Sequence, residues 1–304
     1  MSIFESVKPL CAAALLLLSA ACSAAPASLP TARLRVVVTF SVLGDFVGRV
    51  AGGMADINVL VPAGGDAHEY EPAPSDVVRI ADADVIVENG VGFEAWLDML
   101  YQSSGSKATR IIASEGIKLR EVAEGRTVHD PHIWHDVRNA IRMVNNIAEA
   151  FARADAPNAV QYQANAAKYV AELDALDAEI AAKIGTLSES QRRIVTTHDS
   201  LGYFGARYGV EMIGSVIDSV STESGEPSAQ EMAALIEKIH TQHVQAIFVE
   251  NMSNPRLVER VAQEAGVRVG GELFTDALGA PGSVYATYID AMRANVRTLS
   301  EAVK

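Results

Sequence analysis

The chain has 304 residues, 49% of them hydrophobic, and acidic residues outnumber basic residues 38 to 25. This hydrophobic content is enough for one large core or two medium cores, which excludes a disordered chain and favours a two-lobed globular protein. The formal charge of −13, with no basic cluster interleaved with aromatic residues, argues against a nucleic-acid partner.

Residues 1–27 have the tripartite form of an export signal. Lys8 precedes the apolar stretch 12–18, and small residues follow at 19–25. The apolar stretch is too short to span a bilayer as a helix of the mature protein. We therefore predict a signal peptide over residues 1–27 and a mature protein in the periplasm.

The two cysteines, Cys11 and Cys22, both lie in or beside this signal. The mature chain therefore has no disulfide framework and at most one thiol, which excludes a thiolate metal site. Cys22 follows the tripeptide SAA, which loosely resembles a lipoprotein box without its usual leucine. Cleavage after Ala25 or Ala27 would give a soluble protein, whereas modification of Cys22 would give a lipid-anchored one.

Beyond residue 33, short β-branched runs alternate with helical patterns. This alternation predicts βα units and parallel sheets. The predicted strands are 34–40, 57–61, 84–88 and 109–113 in the first half, and 194–197, 212–217, 246–250 and 267–274 in the second. We predict an α/β fold with two lobes, each with a parallel β-sheet flanked by helices.

An Ala-rich stretch between the halves has apolar residues at helical spacing and predicts one long helix over 157–187. Asp155 and Pro157 suit the start of this helix, and Gly185 suits its end. A helix of about 28 residues spans about 42 Å and would connect the lobes rigidly. The predicted layout is an N-terminal lobe at 34–154, a connecting helix at 155–187 and a C-terminal lobe at 188–304.

Four side chains that can bind metals occur at near-even intervals, each in a segment that resembles a loop leaving a strand. They are His68, His132, His198 and Asp276. Structural zinc sites take their ligands from tight local pairs such as CxxC, whereas ligands this far apart must be gathered from different parts of a fold. The spacing therefore predicts a metal site between the lobes.

Four segments, GGDAHEYEPAPSD, DPHIWHD, TTHDSLGYF and TDALG, resemble in order the motifs of the zinc/manganese substrate-binding proteins of ABC importers, the cluster A-I family. The resemblance covers nearly all of the mature chain. In that family each motif supplies one metal ligand, which maps onto His68, His132, His198 and Asp276. The resemblance implies an extracytoplasmic protein without enzymatic activity, which delivers its metal ion to the membrane permease of an ABC importer.

The sequence departs from the family pattern at two places. His135 stands where family members usually have an apolar residue, and the His-rich insertion of zinc-type members is nearly missing, since only His129 remains within 117–131. The second departure puts a metal-scavenging loop in doubt and leaves room for delivery by a periplasmic metallochaperone. We expect both His129 and His135 to be solvated at the surface.

The donor set predicts which metal is carried. Three neutral imidazoles and one carboxylate suit Zn²⁺, whereas Mn²⁺ prefers more oxygen donors. The resemblance agrees, because manganese-type members often have Glu at the position of His198. Zn²⁺ is therefore the predicted cargo, with Mn²⁺ or dual binding as the alternative if Asp276 is bidentate. Imidazoles with an ordinary pKa predict weaker binding below about pH 6.

Carboxylates that hydrogen-bond to ligating imidazoles fix the ring tautomer. The sequence offers several candidates and does not choose among them. They are Glu69, Glu71, Glu223, Glu226 and Glu250.

A secreted zinc hydrolase is the alternative from a different functional class. Its HExxH signature is absent, because Pro72 stands where the second histidine after His68-Glu69 would be. Four protein ligands would also leave no position for a catalytic water. An exported adhesin or a dedicated metallochaperone would share the site but not the permease. We expect a monomer with only modest loop rearrangement on metal release.

Overall fold

The computed structural model describes residues 33–123, 127–225 and 227–304. Within these residues the strands are β1 (Leu34–Phe40), β2 (Ala55–Val61), β3 (Val85–Glu88), β4 (Thr109–Ile112), β5 (Glu121–Ala123), β6 (Thr127–His129), β7 (Arg193–His198), β8 (Glu211–Ile217), β9 (Ala246–Glu250) and β10 (Arg268–Leu273). The α-helices are α1 (Ser41–Ala51), α2 (Pro74–Asp82), α3 (Leu97–Ser104), α4 (Val137–Ala154), α5 (Ala159–Gly185), α6 (Gly202–Tyr208), α7 (Ala229–Thr241), α8 (Pro255–Ala265) and α9 (Tyr288–Ala302). The predicted signal peptide at 1–27, with Cys11 and Cys22, lies outside the described residues, as does Glu226.

Each lobe contains a four-stranded parallel sheet. The strand order is β2-β1-β3-β4 in the first lobe and β8-β7-β9-β10 in the second, so the two sheets have the same topology. Strands such as β3 and β9 are buried on both faces, which explains their continuous β-branched runs. The predicted α/β fold with two parallel-sheet lobes is confirmed, and each predicted strand is present with its ends shifted by at most two residues.

The long helix α5 joins the two lobes, as predicted. It begins at Ala159 because Pro157 lies in a 3-10 turn, Ala156–Asn158, that precedes it. Toward the first lobe, Tyr169 on α5 donates to Asp45 of α1, and toward the second, Asp177 accepts from Arg207 of α6. These contacts hold the connector against both lobes. The predicted lobe boundaries at 154/155 and 187/188 remain predictions, since residues 33–304 form one compact unit.

The main hydrophobic core is continuous between the lobes. Val38 of the first sheet, Leu173 of α5 and Leu273 of the second sheet belong to the same buried cluster. A smaller cluster packs the outer face of the second sheet against α7 and α8. In the part of the chain that the structure describes, no helix has both the length and the apolar content needed to cross a bilayer.

The structure contains a short antiparallel hairpin that the sequence does not predict. It consists of β5 and β6. Their outermost residue pair is Glu121 and His129. Strands of three residues are too short for a period-2 pattern to be recognised, which explains the omission. The hairpin leads directly into the segment that carries His132, and we call it the site hairpin.

Candidate metal centre

The four evenly spaced side chains lie where strands end. His68 follows β2, His198 is the last residue of β7, and Asp276 follows β10. His132 lies between the site hairpin and a 3-10 turn at Ile133–His135. Because carboxyl ends of parallel strands meet at one edge of a sheet, and the two sheets face each other there, the fold brings these residues together. We call the group of His68, His132, His198 and Asp276 the His3Asp cluster.

The donor atoms of the His3Asp cluster all lie within 4.8 Å of one another. Nε2 of His132 lies 3.2 Å from Nε2 of His68 and 3.2 Å from Nε2 of His198. Oδ2 of Asp276 lies 3.3 Å from Nε2 of His68 and from Nε2 of His198, and its Oδ1 lies 3.5 Å from Nε2 of His132. Metal–nitrogen distances of about 2.0–2.1 Å give tetrahedral edges of about 3.3 Å. These five distances are close to the edges of a tetrahedral metal site.

The Asp276 carboxylate is fully buried, and neither of its oxygens has a hydrogen-bond donor among the described residues. A buried carboxylate without a facing positive charge is costly, and here the imidazoles of His68, His132 and His198 face it. Burial alone would raise the pKa of Asp276, but the imidazolium charges of His132 and His198 lower it well below its ordinary value. The carboxylate is therefore ionised and able to bind a cation.

The orientation of His132 is fixed by Asp130, which is also fully buried. Oδ1 of Asp130 lies 2.8 Å from Nδ1 of His132 and accepts from the backbone N–H of His132 at 3.0 Å. A proton held on Nδ1 leaves the lone pair of Nε2 directed into the cluster. Asp130 is not among the carboxylates that the sequence predicts to orient an imidazole. Its position two residues before His132 was the available signal.

Glu250 performs the corresponding role for His198. Its Oε2 lies 2.7 Å from Nδ1 of His198, in an ion pair whose angle departs from that of an aligned hydrogen bond. Its Oε1 accepts from the backbone N–H of His198 at 2.9 Å, and Thr275 donates to Oε2 at 2.7 Å. Among the candidates in the described part of the chain, Glu250 is the one that the structure places against a proposed ligand. Of the others, Glu69, Glu71 and Glu223 are exposed.

Aromatic rings enclose the cluster. Phe93 packs edge-on against His68, with ring centroids 4.6 Å apart, and Trp134 packs against His132 at 5.5 Å. The indole N–H of Trp134 donates to the carbonyl oxygen of Thr275 at 3.0 Å, which ties the His132 segment to the Asp276 loop. A surface cavity of about 380 Å³ reaches His68 and is lined in part by residues of the site hairpin. Access from solvent is therefore on the His68 side.

The expectation for His135 was wrong, whereas His129 is exposed as expected. His135 is only 1% exposed because the 3-10 turn directs it inward beside Trp134. Neither of its ring nitrogens has a hydrogen-bond partner in the described part of the chain. Burial, together with the charge of His132, lowers the pKa of His135 to about 4, so its ring is neutral at neutral pH.

The family model of ZnuA, the periplasmic zinc-uptake complex component A, matches residues 36–302. The chain belongs to the ZnuA family. This membership confirms the resemblance to the metal-binding proteins of ABC importers.

Relatives of this ZnuA-family chain carry names that refer to different metals. The manganese-binding lipoprotein MntA of Halalkalibacterium halodurans is 36% identical over 265 residues, which cover 87% of each protein. The iron ABC transporter substrate-binding lipoprotein MtsA of Streptococcus pyogenes is 33% identical over 279 residues, 89% of each. Both are named as lipoproteins.

Solved structures share the fold. The periplasmic zinc-binding protein TroA from Treponema pallidum superposes with a TM-score of 0.83 at 29% identity, covering 89% of this chain and 99% of TroA. The manganese-bound periplasmic metal-binding protein of Candidatus Liberibacter asiaticus superposes with a TM-score of 0.80 at 25% identity, covering 90% of this chain and 100% of that one.

Membership of the ZnuA family decides the functional class. The protein is a metal-binding substrate-binding protein of an ABC importer and not an enzyme, so the hydrolase alternative is excluded. Proteins of this kind work with a membrane permease and its ATPase.

Proposed function

We propose that His68, His132, His198 and Asp276 bind one Zn²⁺ ion in the cleft between the lobes, and that the protein delivers this ion to the permease for zinc uptake. The observation that carries the proposal is the arrangement of the His3Asp cluster. Nε2 of His132 lies 3.2 Å from Nε2 of His68 and of His198, and Oδ2 of Asp276 lies 3.3 Å from the same two atoms, which are close to the edge distances of a tetrahedron. Zn²⁺ prefers this geometry and these donors.

The partners of the rings strengthen the assignment to zinc. Asp130 and Glu250 each hold an Nδ1 atom, so His132 and His198 present a neutral Nε2 donor. Three nitrogen donors and one oxygen donor form a borderline set that suits Zn²⁺ better than the harder Mn²⁺.

Manganese, or dual binding, is the second candidate. Both oxygens of Asp276 face the imidazoles, at 3.3 Å and 3.5 Å, so a bidentate carboxylate would raise the coordination number and the share of oxygen donors. The relative of 36% identity is also named for manganese.

A competition experiment separates these candidates. The mature protein is stripped of metal and titrated with Zn²⁺ against a calibrated chelator, with and without excess Mn²⁺. We expect one site with a nanomolar Kd, equivalent to about −12 kcal/mol, that excess Mn²⁺ does not occupy. Micromolar Zn²⁺ binding would contradict the four-ligand site, and displacement of Zn²⁺ by Mn²⁺ would favour the manganese candidate.

Replacing Glu250 by Gln tests whether the carboxylate orients His198. We expect Zn²⁺ affinity to fall about 10- to 100-fold, because the amide cannot accept from all of the donors that Glu250 holds. Glu94→Gln is the matched control. Glu94 is a buried carboxylate in the other lobe that accepts from Thr39 and from the backbone N–H of Asn89. Burial raises the pKa of Glu94 to about 7, so equal losses in both variants would show a general effect of replacing a buried carboxyl group rather than loss of the contact with His198.

The cellular context belongs to the same proposal. A signal peptide at 1–27 would place the protein in the periplasm, either soluble or anchored through Cys22, and mass spectrometry of the mature N-terminus distinguishes these forms. We propose that the protein is a monomer and that its partner is the permease of the importer. The near-absence of a His-rich insertion leaves delivery by a periplasmic metallochaperone as an additional route.

A further inference from the structure

A group of residues outside the His3Asp cluster joins the site hairpin to the second lobe. Nη1 of Arg120 lies 2.9 Å from Oδ2 of Asp130 and 3.7 Å from Oδ2 of Asp199. The backbone N–H of Arg120 donates to the Tyr203 hydroxyl at 2.8 Å, and that hydroxyl donates to the carbonyl oxygen of Asp130 at 3.1 Å. With Gly202, these residues form what we call the Arg120 junction.

Arg120 completes the fixation of Asp130. One oxygen of the Asp130 carboxylate is used by His132, and the other accepts from the Arg120 guanidinium. With both oxygens held, the carboxylate cannot rotate away from Nδ1 of His132. Arg120 touches none of the four proposed ligands, so any effect on the metal acts through Asp130.

The junction also closes the base of the site hairpin. Arg120 immediately precedes β5 and Asp130 immediately follows β6, and the backbone N–H of Asp130 donates to the carbonyl oxygen of Arg120 at 2.9 Å. The opposite side of the junction comes from the segment that follows His198. The segments carrying two of the proposed ligands are therefore tied together by Arg120.

The Arg120 guanidinium packs directly against Gly202. A Cβ atom at position 202 would overlap the Arg120 guanidinium. Any larger residue would push the guanidinium out of the junction while leaving its charge in the protein. This contact gives a second and independent way to disturb Arg120.

We propose that Arg120 is a positioning residue for metal retention. It holds Asp130 in the orientation that directs His132 into the cluster, and it keeps the His132 and His198 segments together. The inference rests on the proposed metal site. Its consequence is kinetic: loss of the guanidinium contact speeds metal release.

The test compares Zn²⁺ dissociation into excess chelator, by stopped flow, for wild-type protein and Arg120→Gln. We expect release about tenfold faster, at the low end of the effect of removing a group that orients a ligand. The visible absorption of the Co²⁺-loaded protein should change as well, since it reports ligand geometry rather than stability. Arg110→Gln is the matched control, because Arg110 has a similar side-chain exposure, 30% against 34%, and pairs with the buried Glu88.

Gly202→Ala is the second variant, and it tests the role of Arg120 if Arg120→Gln does not fold. It should reproduce the faster release and the altered Co²⁺ spectrum without removing a charge. Wild-type release rates and spectra in both variants would overturn the inference, as would equal acceleration in Arg110→Gln. Failure of the wild-type protein to bind Zn²⁺ tightly would instead overturn the proposed function.

Discussion

Replacing Asp276 by Asn is expected to weaken Zn²⁺ binding at least about a thousandfold, or about 4 kcal/mol. Asp276 is the only negative donor in the His3Asp cluster, and its two buried oxygens have no hydrogen-bond donor in the described part of the chain. The Asn variant replaces a full charge by an amide oxygen, while three imidazoles remain. Competitive titration against a chelator measures the loss.

Glu69→Gln is the control for this substitution. Glu69 neighbours His68 in sequence but is exposed and outside the His3Asp cluster. We expect its affinity to stay within about threefold of wild type, because exposed charges are screened by solvent. A loss below about tenfold in Asp276→Asn would show that the carboxylate is not a ligand.

Zn²⁺ affinity is expected to fall steeply as the pH drops from about 9 to 6. Burial alone would lower the pKa of His132, but the charges of Asp276 and Asp130 raise it to about 9. Glu250 and Asp276 likewise outweigh burial at His198 and raise its pKa well above the ordinary value. Both raised pKa values mean that the metal-free cluster holds protons at neutral pH, and Zn²⁺ must displace them.

Each displaced proton lowers the apparent affinity about tenfold per pH unit below its pKa, so two protons give about a hundredfold per unit. Chelator competition at pH 6, 7 and 8 measures this slope. Calorimetry in buffers of different ionisation enthalpy counts the released protons, which should number about two at pH 7. A constant affinity between pH 8 and 6 would contradict the prediction. Ordinary imidazole pKa values predicted weakening only below about pH 6, and the buried carboxylates move this onset upward.

Much of the fold could be predicted because its strands are buried on both faces. Runs such as Val85–Glu88 and Ala246–Glu250 are apolar along most of their length, so composition alone marks them as central parallel strands. The ends of α5 were predictable to within two residues from Pro157 and Gly185. The site hairpin left no comparable signal, because three residues on each strand cannot show a period.

The side chains that orient the cluster were harder to predict than the cluster itself. Glu250 contacts His198 only after parallel strands bring together residues 52 positions apart, so the sequence does not distinguish it from four other glutamates. The role of Asp130 is not visible in the sequence because an Asp at such a position commonly caps a turn. The burial of His135 depends on the direction of a single 3-10 turn, which composition does not specify.

The continuous core between the lobes limits how the transporter can recognise a loaded molecule. Exposing about 400 Å² of apolar surface would cost about 10 kcal/mol, which approaches the about 12 kcal/mol available from nanomolar metal binding. A wide opening would thus consume nearly all of the energy that the ion provides. We therefore expect empty and loaded molecules to have similar outlines, so that recognition by the permease depends on local rearrangement of the loops at the cleft.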